Sequence, residues 1–245
     1  MFIPVGDYPN PRGVPWMTVL LIAANVAVFL LITLPLSATP VSLRDPRLPE
    51  YLDLMARVLP AGASLEAVVR QTTAYDLLVF EYGFRSDRAS LLTLFTSMFL
   101  HGGFLHLAGN MLFLWIYGDN VEHRLGAVPF LFWYLITGVA ATLTHVFVAL
   151  GPPLPLVGAS GAISGVLGFY FLLFPGHFVR VLLLLFPFYV GTVMIPARIV
   201  LGLYLVVDNL LPLILTPAGP VAHGAHIGGF LAGLAVAAWM RVARK

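Results

Sequence analysis

The chain has 245 residues, of which 60% are apolar and 10% charged, with a net charge of +2 and no cysteine. A soluble domain of this length needs roughly a quarter of its residues charged to cover its surface, so lipid must cover much of this one. Disulfides, thiolate metal sites and a cysteine nucleophile are excluded, and no basic cluster interleaved with aromatics points to a nucleic-acid partner.

Residues 1–15 are proline-rich and carry Arg12; they read as a cytoplasmic segment. The apolar run 16–37 is longer than a signal-peptide core and matches a span of about 20 residues. Ser37-Ala38-Thr39 runs into Pro40 rather than a convincing cleavage site, so this is a retained first helix. Region 38–97 differs sharply: it holds 6 Lys/Arg and 7 Asp/Glu, 13 of the 24 charged residues. It reads as a large aqueous loop, helical near 47–58 and 64–82.

The second span, 103–119, opens with HGGFLHLAGN. His101 suits interfacial water at the helix mouth. His106 and Asn110 are four apart and share a helix face. An unpaired amide in hydrocarbon costs several kcal/mol, so Asn110 must face the bundle interior. The third span is 128–150. Pro152, Pro153 and Pro155 then bar helix before Gly158-Ala159-Ser160-Gly161, which opens the fourth span, 160–175. Ser160 therefore falls at a helix N-terminus, where free N–H groups and the positive dipole end suit a developing oxyanion. Gly158 and Gly161 allow close backbone approach. Gly161, Ser164, Gly165 and Gly168 also form a small-residue face, a pattern that serves helix packing by itself. Packing is the better reading for Ser164, and for Ser160 packing and chemistry both stand.

The stretch 179–195, broken by Pro187 and Gly191 and followed by Pro196, is an interfacial or re-entrant segment or the lower half of the fifth helix. Phe178, Phe186, Phe188 and Tyr189 suit the headgroup boundary. In the fifth span, 196–215, Asp208 with Asn209 and Pro212 beside it reads as the outer helix end. In the sixth, 222–241, His226, Gly229 and Gly233 fall at i, i+3 and i+7 on one face. That face needs a closely packed partner. The small face of the fourth span would supply it and bring Ser160 within reach of His226. His223, one turn earlier, reads as interfacial.

Short turns carry Arg124 and Arg180, and the tail 243–245 carries Arg244 and Lys245 beside Arg241, whereas turns 151–159 and 212–221 carry no Lys or Arg. The positive-inside rule then places both termini in the cytoplasm of a plasma (inner) membrane, with loop 38–97 outward. The fold class expected is all-α, a polytopic bundle of six transmembrane helices with a long loop after helix 1. No metal or other cofactor is expected: there is no H-E-x-x-H, and a spacing of five from His101 to His106 is a poor helical interval for two ligands. A transporter's proton relay needs ionisable groups at depth, and Asp208 alone is weak support.

HGGFLHLAGN, the G-A-S-G element after a proline-rich turn, and AHIGGFLAG at the last span together resemble the rhomboid intramembrane serine proteases, in that family's order. The resemblance implies a catalytic membrane core over 98–242 with its active site below the outer surface. It implies Ser160 as nucleophile and His226 as general base. Asn110, His106 and the Ser160 N–H become oxyanion donors, and His101, Gly158, Gly161 and Ser164 accessory residues. It implies close-packing roles for Gly229 and Gly233, beside the packing that the small face assigns to Gly165 and Gly168, a structural ion pair between Glu122 and Arg124, and single-span or multi-span membrane proteins as substrates; the glycines around Ser160 favour a small residue at the cleaved bond. Two positions depart from the family pattern. Ser164 stands where many members carry a tyrosine that packs on the histidine, so another group must orient His226. Leu92 and Thr93 stand where many carry Trp-Arg. A catalytically inactive relative that binds membrane clients is the competing reading.

Overall fold

The structure, a computed structural model, describes residues 2–59, 64–149, 152–185, 187–216 and 221–243. It divides into two compact units: Met1–Ile22, Ala108–Ala149 and Ser160–Lys245 form one, and Ala23–Leu107 with Leu150–Ala159 the other.

Each predicted span coincides with a helix. They are α1 (Trp16–Ser37), α6 (Phe104–Leu125), α7 (Ala127–Val148), α8 (Ser160–Leu173), α9 (Ala197–Leu215) and α10 (His223–Ala243). Among the described residues, α1, α7, α9 and α10 are long and apolar enough to cross a membrane, and α6 reaches that measure together with α5 (Leu91–Thr96) and the short turn after it. At 14 residues α8 is shorter, about 21 Å against a hydrocarbon core of about 30 Å. Both α1 and α9 widen into a π-helical turn, Phe29–Thr33 and Val206–Leu210, just before Pro35 and Pro212. A proline cannot donate to the helix ladder, and a wider turn absorbs the mismatch.

In the first unit α8 is the central helix, buried continuously from Ala162 to Tyr170. It packs on α7 and α10 through small residues. A Cβ on Gly229 would run into the Gly161 carbonyl oxygen, one on Gly233 into the Gly165 carbonyl, and one on Gly168 into the Phe230 carbonyl. A Cβ on Gly165 would strike the Thr137 side chain of α7. The helix axes therefore approach as closely as backbone permits.

The same unit carries a departure from an all-α reading, a three-stranded antiparallel sheet in the order β1 (Phe2–Tyr8), β2 (Phe178–Leu185), β3 (Tyr189–Pro196). The stretch 179–195 is thus a β-hairpin and not the lower half of the fifth helix. Alternate β2 residues Val179 and Val181 are buried, the period-2 pattern of a strand with one face packed. Residues 2–8 of the N-terminal segment add the third strand, pairing Phe2 with Leu183 and Tyr8 with Phe178. Phe188, near the hairpin tip, is exposed. Phe186, residues 217–220, Arg244 and Lys245 lie outside the described residues.

In the second unit the charged region is a folded subdomain. The helices expected near 47–58 and 64–82 appear as α2 (Leu48–Ala56), α3 (Leu65–Gln71) and α4 (Ala74–Tyr82). Extended Thr72 and Thr73 separate the last two, and a reciprocal cap starts α4: Thr73 N–H donates to Asp76 Oδ2 at 2.7 Å and Asp76 N–H to Thr73 Oγ1 at 3.3 Å. Leu48, Leu54, Tyr75, Leu77, Phe80 and Phe84 are buried. Arg85 is buried against the Phe80 ring at 4.1 Å and donates to Asp87 and Glu50. At the Trp-Arg positions, Leu92 is exposed and Thr93 is buried, capping α5 with Ser90.

Candidate active site

Helix α8 starts at Ser160, so the first N–H groups of the helix have no intrahelical acceptor. Gly158 just before it has φ +118°, which only glycine adopts without strain. Its N–H donates to the Ser97 carbonyl at 2.8 Å, holding the turn that ends the proline-rich loop. His226 lies one turn into α10. The close packing through Gly229 and Gly161 brings the two side chains together: Ser160 Oγ is 2.8 Å from His226 Nε2.

Two residues from α9 also adjoin the pair, and sequence reasoning missed both in this role. Asn209, 1% exposed, lies in the π-helical turn. Its Nδ2 donates to the Tyr204 carbonyl at 2.8 Å, and its Oδ1 is 2.7 Å from His226 Nδ1 and 3.4 Å from His223 Nδ1. The Tyr204 ring stacks on the His226 imidazole, centroids 6.3 Å apart and planes 29° apart. Its hydroxyl is 2.7 Å from Ser164 Oγ, which donates to the Ser160 carbonyl at 2.8 Å. The group that packs on His226 in place of a residue-164 tyrosine is therefore Tyr204. Asn209 carried a sequence signal, an amide inside an apolar span, the same feature that singled out Asn110.

Asn110 belongs to the same unit as Ser160 and His226, and its buried Nδ2 meets no acceptor among the described residues. A buried donor left unpaired costs about 1–3 kcal/mol, a price ordinarily borne only where water or a ligand supplies the acceptor. His101 and His106 belong to the other unit. Their rings meet edge to face at 5.1 Å; His106 Nδ1 accepts from Gly102 N–H at 3.3 Å. The His101 N–H donates to the Tyr75 hydroxyl at 3.0 Å, which in turn donates to the His101 carbonyl at 2.9 Å.

The expected Glu122–Arg124 ion pair is not formed. Residues two apart on a helix point to different sides. Glu122 is buried and accepts from Met17 N–H at 2.9 Å, Thr18 N–H at 2.7 Å and Thr18 Oγ1 at 2.8 Å, while Arg124 is exposed. Glu122 thus caps the start of α1 with a negative charge where the helix dipole favours one.

With a serine and a histidine in hydrogen-bonding contact at a helix start, the site has the parts for acyl transfer. The Rhomboid domain family model matches residues 88–243, more than half of the chain. Over 102 residues the chain is 37% identical to Rhomboid protein 1, mitochondrial, of Saccharomyces cerevisiae, covering 40% of this chain and 29% of that protein. Over 75 residues it is 43% identical to Rhomboid protease GluP of Bacillus subtilis, 31% of this chain and 14% of that protein. Over 76 residues it is 37% identical to Inactive rhomboid protein 1 of Drosophila melanogaster, 31% of this chain and 5% of that protein. The chain thus spans less than a third of the length of each of these relatives, yet the family match over most of its membrane region is plain. The chain belongs to the rhomboid family and is an integral, multi-pass membrane protein.

Proposed function

We propose that this protein is an intramembrane serine endopeptidase that cuts transmembrane helices of other membrane proteins near their outer ends. The observation that carries this reading is the 2.8 Å approach of Ser160 Oγ to His226 Nε2. His226 takes the Ser160 proton as Oγ attacks the peptide carbonyl, then gives it to the leaving amine. Water, deprotonated by the same imidazole, hydrolyses the acyl-enzyme.

The oxyanion falls to the Ser160 N–H at the start of α8 and to Asn110, whose unsatisfied buried amide supports that role. His106, one turn before Asn110 on α6, joins them by the resemblance alone. Each donor is worth roughly 10²–10³ in rate. The shortness of α8 supports a reactive serine below the outer membrane surface, where a substrate helix must unwind to reach it. Glycines 158 and 161 favour a small residue at the cleaved bond. Arg12, Arg124, Arg180 and Arg241 favour cytoplasmic termini, with 38–97 outside and 98–242 as the catalytic core.

The name of the Drosophila relative raises a second reading, an inactive client-binding protein. Retention of Ser160 and His226 in hydrogen-bonding contact speaks against it. The test is cleavage of a panel of single-span substrates by the purified protein, beside Ser160→Ala, with fluorophosphonate labelling of Ser160. Cleavage and labelling lost together in the variant are expected. Cleavage retained in Ser160→Ala would remove the nucleophile assignment, and no labelling of the unaltered protein would favour the inactive reading.

A further inference from the structure

We propose that Asn209 is a positioning residue for His226, fixing which ring nitrogen carries the proton and so aiming the other at Ser160. The proposal rests on the protease reading above and deepens it. Three hydrogen bonds in series carry the argument. Asn209 Nδ2 is 2.8 Å from the Tyr204 carbonyl, which only accepts, so the NH₂ end of the amide must face it. The opposite end, Oδ1, then faces His226 Nδ1 at 2.7 Å. A carbonyl oxygen only accepts, so Nδ1 must carry the hydrogen. In the neutral ring Nε2 is then the lone-pair nitrogen, and it is the one 2.8 Å from Ser160 Oγ. A backbone carbonyl on α9 thereby decides, through one buried amide, that the imidazole meets the serine as a base.

The fold gives this amide little freedom to do otherwise. Asn209 is 1% exposed. It stands in the π-helical turn Val206–Leu210 ahead of Pro212, and such turns recur at functional positions. Among the described residues, the titratable groups around it include Tyr204 and Asp208 on α9 and, on α10, His226 itself and His223, whose Nδ1 is 3.4 Å from the same Oδ1. A base oriented by a third group is the general logic of nucleophile activation. Here that third group is neutral, so it fixes the tautomer without adding a charge.

The test uses the purified full chain with Asn209→Leu, Asn209→Asp and Ser160→Ala, read by kcat and KM on a single-span substrate across a pH series, and by the nitrogen-15 shifts of the His226 ring. Asn209→Leu should lower kcat about 10²-fold with KM within about twofold, because the loss falls on proton transfer and not on substrate contact. The Nδ1–H signature should disappear with it. Asn209→Asp keeps an acceptor and should retain most of the activity. Its acid limb should move to higher pH, since a carboxylate beside the ring favours the imidazolium. Unchanged kcat and an unchanged Nδ1–H signature in Asn209→Leu would overturn the proposal. Should Asn209→Leu not fold, a pH profile of Asn209→Asp identical to that of the unaltered protein would do the same. If the unaltered protein cleaves nothing, the protease reading fails, and the ring signature, read also in Ser160→Ala, decides the positioning claim by itself.

Discussion

The Tyr204 ring lies over the His226 imidazole while its hydroxyl meets Ser164, so one side chain of α9 touches both helices that carry the reacting pair. Ring and hydroxyl make separable contributions. Tyr204→Phe keeps the stacked ring and loses the hydroxyl's contacts with Ser164 and Asn209, so kcat/KM should stay within about threefold. Tyr204→Leu removes the stacking, worth about 1 kcal/mol, and should lower kcat/KM roughly fivefold. Cleavage assays on the two variants at matched folding separate the terms. Equal loss in both would place the importance in the hydroxyl instead.

The contact between α8 and α10 leaves no room for a methyl group. Gly229→Ala and Gly233→Ala each drive a Cβ into a backbone carbonyl, of Gly161 and Gly165 respectively. Backbone cannot yield as a side-chain tip does, so each should cost about 1–3 kcal/mol or more. Because the same contact sets the Ser160–His226 distance, activity should fall with stability. Gly202→Ala on α9 meets nothing within 4 Å and is the matched control. Thermal unfolding in detergent reads all three. A Gly229→Ala protein as stable as the control would contradict the packing described.

How the sequence foretold the site depends on which interactions were local. Ser160 at a helix start after prolines and His226 above a glycine face were readable, because helical spacing alone assigns a face and small residues demand a close partner. Asn110 was readable because hydrocarbon does not tolerate a lone amide. The same reasoning applied to Asn209, but Asp208 and Pro212 beside it suggested a helix end in water. The π-helical turn that places Asn209 against His226 has no simple spacing signature. Tyr204 was hidden for another reason: its partner is set by how α9 packs, not by any interval along the chain. The sheet escaped because β1 and β2 are distant in sequence, and a short apolar run does not by itself distinguish strand from helix.

Glu122 and Arg124 should differ sharply on removal. Glu122→Ala strips the acceptor from two backbone N–H groups and the Thr18 hydroxyl at the start of α1. Unsatisfied buried donors cost about 1–3 kcal/mol, so thermal stability should drop by that order. Arg124→Ala, at an exposed position, should stay within about 0.5 kcal/mol. Similar losses in the two variants would restore the ion pair that the geometry removes.

Asp7 should make the docking of β1 depend on pH. The residue is 8% exposed; Oδ2 accepts from Tyr170 Oη at 2.5 Å and from Asn120 Nδ2 at 2.8 Å. Burial raises its pKa from 3.8 to about 7, against the opposing Tyr170 hydrogen bond and with help from the nearby Asp119 charge. A carboxyl whose folded pKa is raised binds its proton more tightly when folded than when unfolded. The stability it contributes is therefore full below the unfolded pKa, is lost as pH rises toward about 7, and changes no further above that. Asp7→Asn keeps a neutral group able to bond Tyr170 and Asn120 and should flatten this slope. Near neutral pH the variant should be the more stable protein, by roughly 1–3 kcal/mol. Hydrogen exchange of the β1 and β2 amides across the acidic-to-neutral range reads the effect where it arises. Protection that rises with pH in the unaltered protein would reverse the sign and exclude a buried, proton-retaining Asp7.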